Sequence, residues 1–298
     1  MMMYWFYRIL TAICSRLPLR WVQKLASVVG IIAWHILPSR RNAAKVNARI
    51  IGAEDPRKTA KESFKHTFMA YFETAYIRNI DDKFVERYVT CENTHHYEEL
   101  VKNKQQFLFI SAHIGSWDLC APVTANAVDF KAVIVGRMSN SKSVNRIIED
   151  LRNNSDRIVY VHQYGYIDKV KEYSQKGYVA GSLMDHIGTA SDSIYAPFFG
   201  LKVQTLMGMP LLSARRKIPM LPSYLIRTKT GFKVIMSEPL WPNLDLKPKE
   251  RVMDLLIRMN EEYERIIRQY PEQWYLLHRR FKRVEEDNGK ISSSLYRP

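Results

Sequence analysis

Gln106-Phe-Leu-Phe-Ile-Ser-Ala-His-Ile-Gly-Ser-Trp-Asp118 is the stretch on which the reading of this chain turns. Its first half, Gln106 to Ser111, is a short apolar run with the length and content of a buried strand, and residues 116–127 then take on helical spacing. A single helix through His113 and Asp118 would set the two side chains roughly 140° apart, out of reach of each other. A strand, a turn and a helix remove that obstacle. Gly115 permits the turn, Ser116 is placed to cap the helix, and Asp118 falls in the first helical turn, where a carboxylate is electrostatically favoured. In that layout Asp118 accepts a hydrogen bond from one imidazole nitrogen of His113 while the other nitrogen faces a substrate, the arrangement of a general base with an orienting acid. The spacing by itself suits a hydrogen-bonded structural histidine equally well.

The same alternation continues outward. Strands are expected over 131–135, 157–161, 178–184, 220–227 and 232–236, and helices over 57–78, 143–152, 168–175, 208–216 and 249–269. Thr228-Lys-Thr-Gly231 suits a hairpin between the last two strands. The pattern predicts an α/β fold with a mostly parallel central sheet flanked by helices, ending in an antiparallel hairpin. Ligands of such sheets bind outside the carboxyl ends of the strands, where His113 stands. Asp185, closing the run 178–184, points to the same crevice. Residues 46–298 read as one domain without a linker, with a polar tail from Glu285 onward that is expected to fray.

Residues 1–45 differ in kind. Two apolar stretches, 1–13 and 21–37, are followed by Arg40, Arg41 and Lys45, with Trp21 and Trp34 near the ends of the second. No secretory cleavage pattern follows either one. The second stretch, which includes Lys24, is near the lower length limit for crossing a bilayer, so it spans, lies in the interface or packs on the domain. This segment is expected to be an N-terminal membrane-associated helix. Across the chain 45 Lys and Arg face 30 Asp and Glu, a net charge of +15, which calls for an anionic partner. Nucleic acid is disfavoured, because no binding motif is present and the apolar N-terminus would go unexplained. Cys14, Cys91 and Cys120 have no paired spacing, and Cys120 reads as a packed thiol. His95-His96 lacks a third ligand at a persuasive spacing, so no metal is expected.

His113-Ile-Gly-Ser-Trp-Asp118 resembles the His-x4-Asp/Glu motif of lysophospholipid acyltransferase-like enzymes, and specifically of the bacterial lipid A late acyltransferases. Four further stretches agree in order: Leu37-Pro-Ser-Arg-Arg-Asn-Ala-Ala-Lys-Val-Asn47, Gly181-Ser-Leu-Met-Asp-His-Ile-Gly188, Ala196-Pro-Phe-Phe-Gly200 and Pro271-Glu-Gln-Trp-Tyr-Leu-Leu-His-Arg-Arg-Phe-Lys282. The resemblance covers nearly the whole chain. It implies an enzyme that moves a fatty acyl chain from acyl carrier protein or acyl-coenzyme A, as co-substrate and without a cofactor, to a hydroxyl of a membrane glycolipid of the lipid A precursor type. His113 and Asp118 would be catalytic. Arg137 and Arg152 stand where family members carry basic residues near substrate, and Asp185 belongs to the same site. Gly200 serves a backbone conformation or a close approach of ligand. Phe198 and Phe199 suit either core or acyl-chain wall, His278 reads as structural, and Arg279, Arg280, Lys282 and Arg283 are expected to address lipid headgroups. The implied location is the cytoplasmic face of the cell inner membrane, with residues 1–45 as anchor and 46–298 as the acyltransferase domain. A lysophosphatidate acyltransferase is the alternative, since such enzymes carry Asp at the acid position. Ile187-Gly-Thr-Ala-Ser191 lacks the Glu and Arg of their phosphate-binding element, which ranks it second.

Overall fold

In a computed structural model, which describes residues 2–136, 145–146, 157–162 and 165–296, the apolar runs pair into one large sheet. Its strands are β1 (Val89–Glu92), β2 (Leu108–Ser111), β3 (Ala132–Gly136), β4 (Ile158–His162), β5 (Val179–Leu183), β8 (Met220–Arg227) and β9 (Phe232–Met236), in the order β1-β9-β8-β2-β5-β3-β4. All neighbours run parallel except β8 and β9, which form the expected hairpin. β1 was not legible. It is four residues long, largely exposed, and adds to the outer edge of β9. Of the helix expected over 143–152, only 145–146 lie within the described residues, and these are helical.

Period-two alternation divides the strands between two cores. Phe107 and Phe109 face one side and Leu108 and Ile110 the other; Leu221 and Leu225 oppose Met220, Tyr224 and Ile226 in the same way. On the first side lies α7 (Trp117–Ala127), and on the second the long helix Pro248–Gln269, which buries Leu255, Leu256, Met259, Tyr263, Ile266 and Ile267. Helices on both faces bury the parallel strands, which explains why those strands read as continuous apolar runs.

A second sheet, of order β11-β10-β7-β6, is antiparallel and went unread in the sequence. It joins β6 (Ser193–Phe198), β7 (Leu201–Leu206), β10 (Val284–Glu285) and β11 (Ile291–Ser292). The tail expected to fray from Glu285 onward is therefore docked. Tyr296 is buried, its hydroxyl bonding Asn47 and accepting from the Phe281 amide at 2.9 Å.

The N-terminus forms three helices in place of one membrane helix: α1 (Met2–Cys14), α2 (Leu19–Ile36) and α3 (Pro38–Ile50). Among the described residues no single helix is long and apolar enough to cross a membrane; α2 and α3 pass together but are bent by 100° at Leu37. Pro38 starts α3 afresh at its first position, which accounts for the break. α2 packs on α4 (Pro56–Glu73), with Gly30 at the crossing. A Cβ there would lie 2.8 Å from the Phe64 carbonyl oxygen and the Lys65 Cα, so only glycine allows this approach. The boundary expected at residue 45 falls inside α3, whose Ala43, Ala44 and Ala48 enter the main core. The outer faces of the first two helices stay apolar. Trp21, Leu25, Val28, Ile32 and Ile36 are exposed along α2, and Trp5, Ile9 and Ile13 along α1.

Candidate active site

β2 and β5 are adjacent and parallel, with Ser111 in register with Leu183 and the Met184 amide donating to the Ser111 carbonyl at 3.0 Å. Two residues beyond each strand end stand His113 and Asp185. The ladder closes on a side chain there, the His113 amide donating to Asp185 Oδ2 at 3.0 Å. His113 Nδ1 lies 2.7 Å from Asp185 Oδ1, and Trp274 Nε1 donates to Oδ2 at 2.9 Å. The carboxylate bound to Nδ1 is Asp185, seventy-two residues away, which the sequence reading placed in the same crevice without pairing it to the histidine. The reason is the sheet order, which a local spacing does not contain. Asp118 does occupy the first turn of α7 and lines the same cavity as His113.

Burial pushes the Asp185 carboxyl up, but the charge and hydrogen bond of His113, with His186 and the Trp274 nitrogen, outweigh it and hold it well below the usual carboxylate range. An ionised carboxylate only accepts, so Nδ1 carries a proton, and in the neutral ring Nε2 is the nitrogen that keeps the lone pair. His186 stacks flat on His113, ring centres 3.6 Å apart at 1°, and His278 stacks on His186 at 4.1 Å. Burial, then the neighbouring His113, lowers the pKa of both, that of His278 to about 4. Both rings are therefore neutral near pH 7. His113, Asp185 and His186 place their ligand atoms within 4.8 Å of one another, close enough to suggest a cation. The stacking argues otherwise. Parallel rings direct their in-plane lone pairs side by side, and Asp185 already accepts three hydrogen bonds.

The turn that presents His113 is held from below. Gly115 has φ +61°, and a Cβ on it would fall 2.0 Å from the Leu225 carbonyl oxygen, so the glycine is required both for conformation and for space. Ser116 occupies the N-cap position without making the side-chain cap bond; its amide donates to the Leu225 carbonyl at 2.8 Å. The segment 271–278 runs beside the turn, with the Gly115 amide on the Gln273 carbonyl at 3.0 Å and the Tyr275 amide on the His113 carbonyl at 2.9 Å. Beneath, Arg227 donates to the Gly115 carbonyl at 2.9 Å and forms a buried ion pair with Glu73 at 2.7 Å. Gln23 of α2 also donates to Glu73, at 2.8 Å. Trp274, Gln273, Arg227 and Glu73 were not identified as site residues from sequence. The Trp lay inside the quoted C-terminal stretch; the ion pair left no local signal.

A cavity of about 810 Å³ opens at this point, its lining continuing from His113, Trp117 and Asp118 to Phe109, Phe130 and Ile134. Cys120 lines it too, but burial raises the thiol to about 11, which leaves it protonated and a poor nucleophile. Arg137 and Arg152 lie outside the described residues. Gly200 takes the special backbone conformation that was one of its two expected roles: at φ +72° it follows Phe199, at φ +48°, in the two-residue loop between β6 and β7, and it is itself exposed and away from the cavity lining. Phe198 and Phe199 are core, packed with Trp274. Arg280, expected to meet lipid, is buried instead. It donates to the Gln204 carbonyl at 2.7 Å and to Thr205 Oγ1 at 2.9 Å beneath the Phe198 ring. His278, read as structural, lines the cavity.

A sequence model of the family described as bacterial lipid A biosynthesis acyltransferase matches residues 1–283. The chain is 24% identical to the lipid A biosynthesis palmitoleoyltransferase of Escherichia coli (strain K12), over 87% of this chain and 84% of that protein. It has the same identity and coverage with the lipid A biosynthesis acyltransferase of Shigella flexneri.

Proposed function

The chain belongs to the bacterial lipid A biosynthesis acyltransferase family, and from that premise we propose that His113 is its general base, oriented by Asp185, in transfer of a fatty acyl chain from a thioester to a glycolipid hydroxyl. The observation that carries this is the Nδ1 to Asp185 hydrogen bond, which turns the lone pair of Nε2 outward. Nε2 takes the proton of the acceptor hydroxyl as its oxygen attacks the thioester carbonyl. The tetrahedral adduct then collapses, the carbon–sulfur bond breaks, and the imidazolium returns the proton to the leaving thiolate. Asp185 stabilises the transient imidazolium. Positioned base catalysis of this kind is worth about 10² to 10⁴ in rate. Asp118 stands on the cavity wall beside the reacting centre, and the apolar run from Trp117 to Phe130 offers room for the acyl chain.

The donor is acylated carrier protein or acyl-coenzyme A. Both are anionic, as are the lipid surface and the phosphates of a lipid A precursor, and the net charge of +15 suits all of them. The exposed stripes on α1 and α2 rest in the membrane interface, flanked by Arg16, Arg20, Lys24, Arg40 and Arg41, on the cytoplasmic face of the inner membrane. The test is direct. Purified protein is incubated with each donor and a panel of lipid acceptors, then the assay is repeated with His113→Ala. Transfer to a glycolipid that the variant loses is the expected result. No transfer to any glycolipid, or unchanged transfer by the variant, would sink the assignment.

A further inference from the structure

α1 and the turn that follows it carry two kinds of surface side by side. Trp5, Ile9 and Ile13 recur at every fourth residue and are exposed, which makes the apolar stripe. The adjoining row, Arg8, Ala12 and Arg16, has the same spacing and borders a second cavity, of about 370 Å³, between α1 and the 3-10 segment Thr74–Asn79. Arg78 and Asn79 stand on its far wall. The two walls are fastened to each other. The Tyr7 hydroxyl lies 3.0 Å from Thr74 Oγ1, Asn79 Nδ2 donates to the Ser15 carbonyl at 3.0 Å, and the Tyr76 hydroxyl donates to the Leu17 carbonyl at 2.6 Å. The opening is therefore set between docked elements, and the small side chains of Thr11, Ala12 and Ser15 leave it room.

Three guanidinium groups, of Arg8, Arg16 and Arg78, line this cavity, and among the described residues no carboxylate does. Planar guanidinium groups suit phosphate oxygens in charge and in geometry. Thr11 Oγ1 donates to the Arg8 carbonyl at 3.0 Å and Ser15 Oγ to the Ala12 carbonyl at 3.2 Å, so each hydroxyl proton is committed and each oxygen is left to accept. A fitting ligand brings an anion for the arginines, hydroxyl donors for these oxygens and an apolar part for the stripe next to them. We infer that the cavity binds the headgroup of one anionic glycerophospholipid of the phosphoglycerol type. Its phosphate lies among Arg8, Arg16 and Arg78, its glycerol hydroxyls donate to Thr11 and Ser15, and its acyl chains run along Trp5, Ile9 and Ile13. No residue lines both this cavity and the one beside His113, so the lipid held here is neither donor nor acceptor in acyl transfer. It seats α1 in the membrane by a specific headgroup, beyond the general attraction of a basic surface for anionic lipid.

The test uses the full-length protein and monomeric lipid, so that no bilayer charge contributes. Dihexanoylphosphatidylglycerol, dihexanoylphosphatidylcholine and inorganic phosphate are titrated by calorimetry, the lipids below their micellar concentrations. Phosphatidylglycerol is expected to bind about tenfold or more tighter than either of the others, and Arg8→Gln and Arg78→Gln should each weaken it about tenfold. Arg20→Gln removes the same charge from the exposed face of α2, outside the cavity lining, and should change it less than about threefold. Ala12→Leu fills the cavity at constant charge. It adds apolar area, which would strengthen simple partitioning, yet about tenfold weaker binding is expected. Four results would overturn the site: equal binding of the two lipids, binding that inorganic phosphate matches, an Arg20→Gln loss as large as those of the cavity variants, or binding that Ala12→Leu leaves intact. Acyl-transfer assays run beside it keep the two readings apart. Transfer without any phosphatidylglycerol preference in binding refutes only the headgroup site, and headgroup-selective binding without transfer refutes only the catalytic reading.

Discussion

Asp185→Asn replaces one carboxylate oxygen by an amino group and should disable the base without unfolding the protein. Asp185 accepts three hydrogen bonds: from the His113 amide and Trp274 Nε1 on Oδ2, at 3.0 and 2.9 Å, and from His113 Nδ1 on Oδ1 at 2.7 Å. An asparagine has one acceptor oxygen and one amino group. The oxygen is best placed where two donors converge, at the Oδ2 position, which turns the amino group toward His113 Nδ1. Nδ1 must then accept, and the ring proton moves to Nε2, the nitrogen that needs the lone pair. The imidazolium formed in the transition state would also lose its counter-charge. Together these effects are worth about 10² to 10⁴ in kcat. The assay is acyl transfer to the accepted glycolipid, with the tautomer read separately from the nitrogen chemical shifts of His113. The parent should show Nδ1–H and the variant Nε2–H. A variant within tenfold of the parent in kcat, or one that keeps Nδ1–H, would refute the argument. Asp118→Asn is the matching control, since it leaves the Nδ1 pair in place. Were it to switch the tautomer while Asp185→Asn did not, the orienting role would return to Asp118.

Three other outcomes follow from the same geometry. Gly115→Ala drives a Cβ to 2.0 Å from the Leu225 carbonyl oxygen at φ +61°, and should cost about 3 kcal/mol or more, seen as a fall of several degrees in Tm; an unchanged Tm would show that the turn can shift. Burial lowers the pKa of His66 to about 3 and of His278 to about 4, each from 6.5, so unfolding takes up protons and stability falls as pH drops from about 6.5 toward those values. At pH 5 each histidine should remove about 2 kcal/mol relative to pH 7.5, measured as a lower urea midpoint; Asp185, whose folded value is depressed, adds its loss only below the unfolded carboxylate value near 4. Ile32→Glu, on the outer stripe of α2 where Ile32 is 53% exposed, should weaken binding to anionic phospholipid vesicles tenfold or more without changing Tm, and equal co-sedimentation of variant and parent would remove the interfacial role of that face.

The elements that could be read from sequence are those whose patterns are imposed locally by deep burial. β8 and β9 match their expected ranges because every β8 residue and most of β9 are buried, and the helix Gly208–Arg216 ends where expected. β10 and β11 escaped because each is two residues long and β10 pairs with a segment about eighty residues away, Val203 with Val284, whereas β6 and β7 form a local hairpin of six-residue strands. The polar tail is held by the pairing of β10 and β11, by the Lys202–Glu285 ion pair and by Tyr296, whose hydroxyl contacts lie in α3 and at Phe281. Composition reports polarity; it does not report where a polar segment finds its partners.

The candidate site shows the same division between what is local and what is topological. His113, the turn at Gly115 and the start of α7 are consequences of consecutive residues, and the sequence supports each of them. The choice of carboxylate is a consequence of which strand lies beside β2. The loops after β2 and β5 each carry their polar residue two positions past a paired register position, Ser111 with Leu183, so adjacency alone brings His113 to Asp185. Had β3 been inserted between them, the same sequence motif would face a different acid. The C-terminal stretch becomes intelligible on this basis. Gln273, Trp274 and Tyr275 bond the Gly115 amide, the Asp185 carboxylate and the His113 carbonyl in turn, so three consecutive residues hold the base, its acid and the turn between them in one frame. Ser63 of α4 supports that frame in turn, donating to the Trp274 carbonyl at 2.6 Å, and Asn47 of α3 holds the carbonyls of Leu276 and His278 at 2.7 and 2.6 Å. Of the helices with exposed apolar stripes, α2 is tied to that turn through Gln23, Glu73 and Arg227, so the proposed seating of its outer face in lipid would also set the orientation of the cavity mouth.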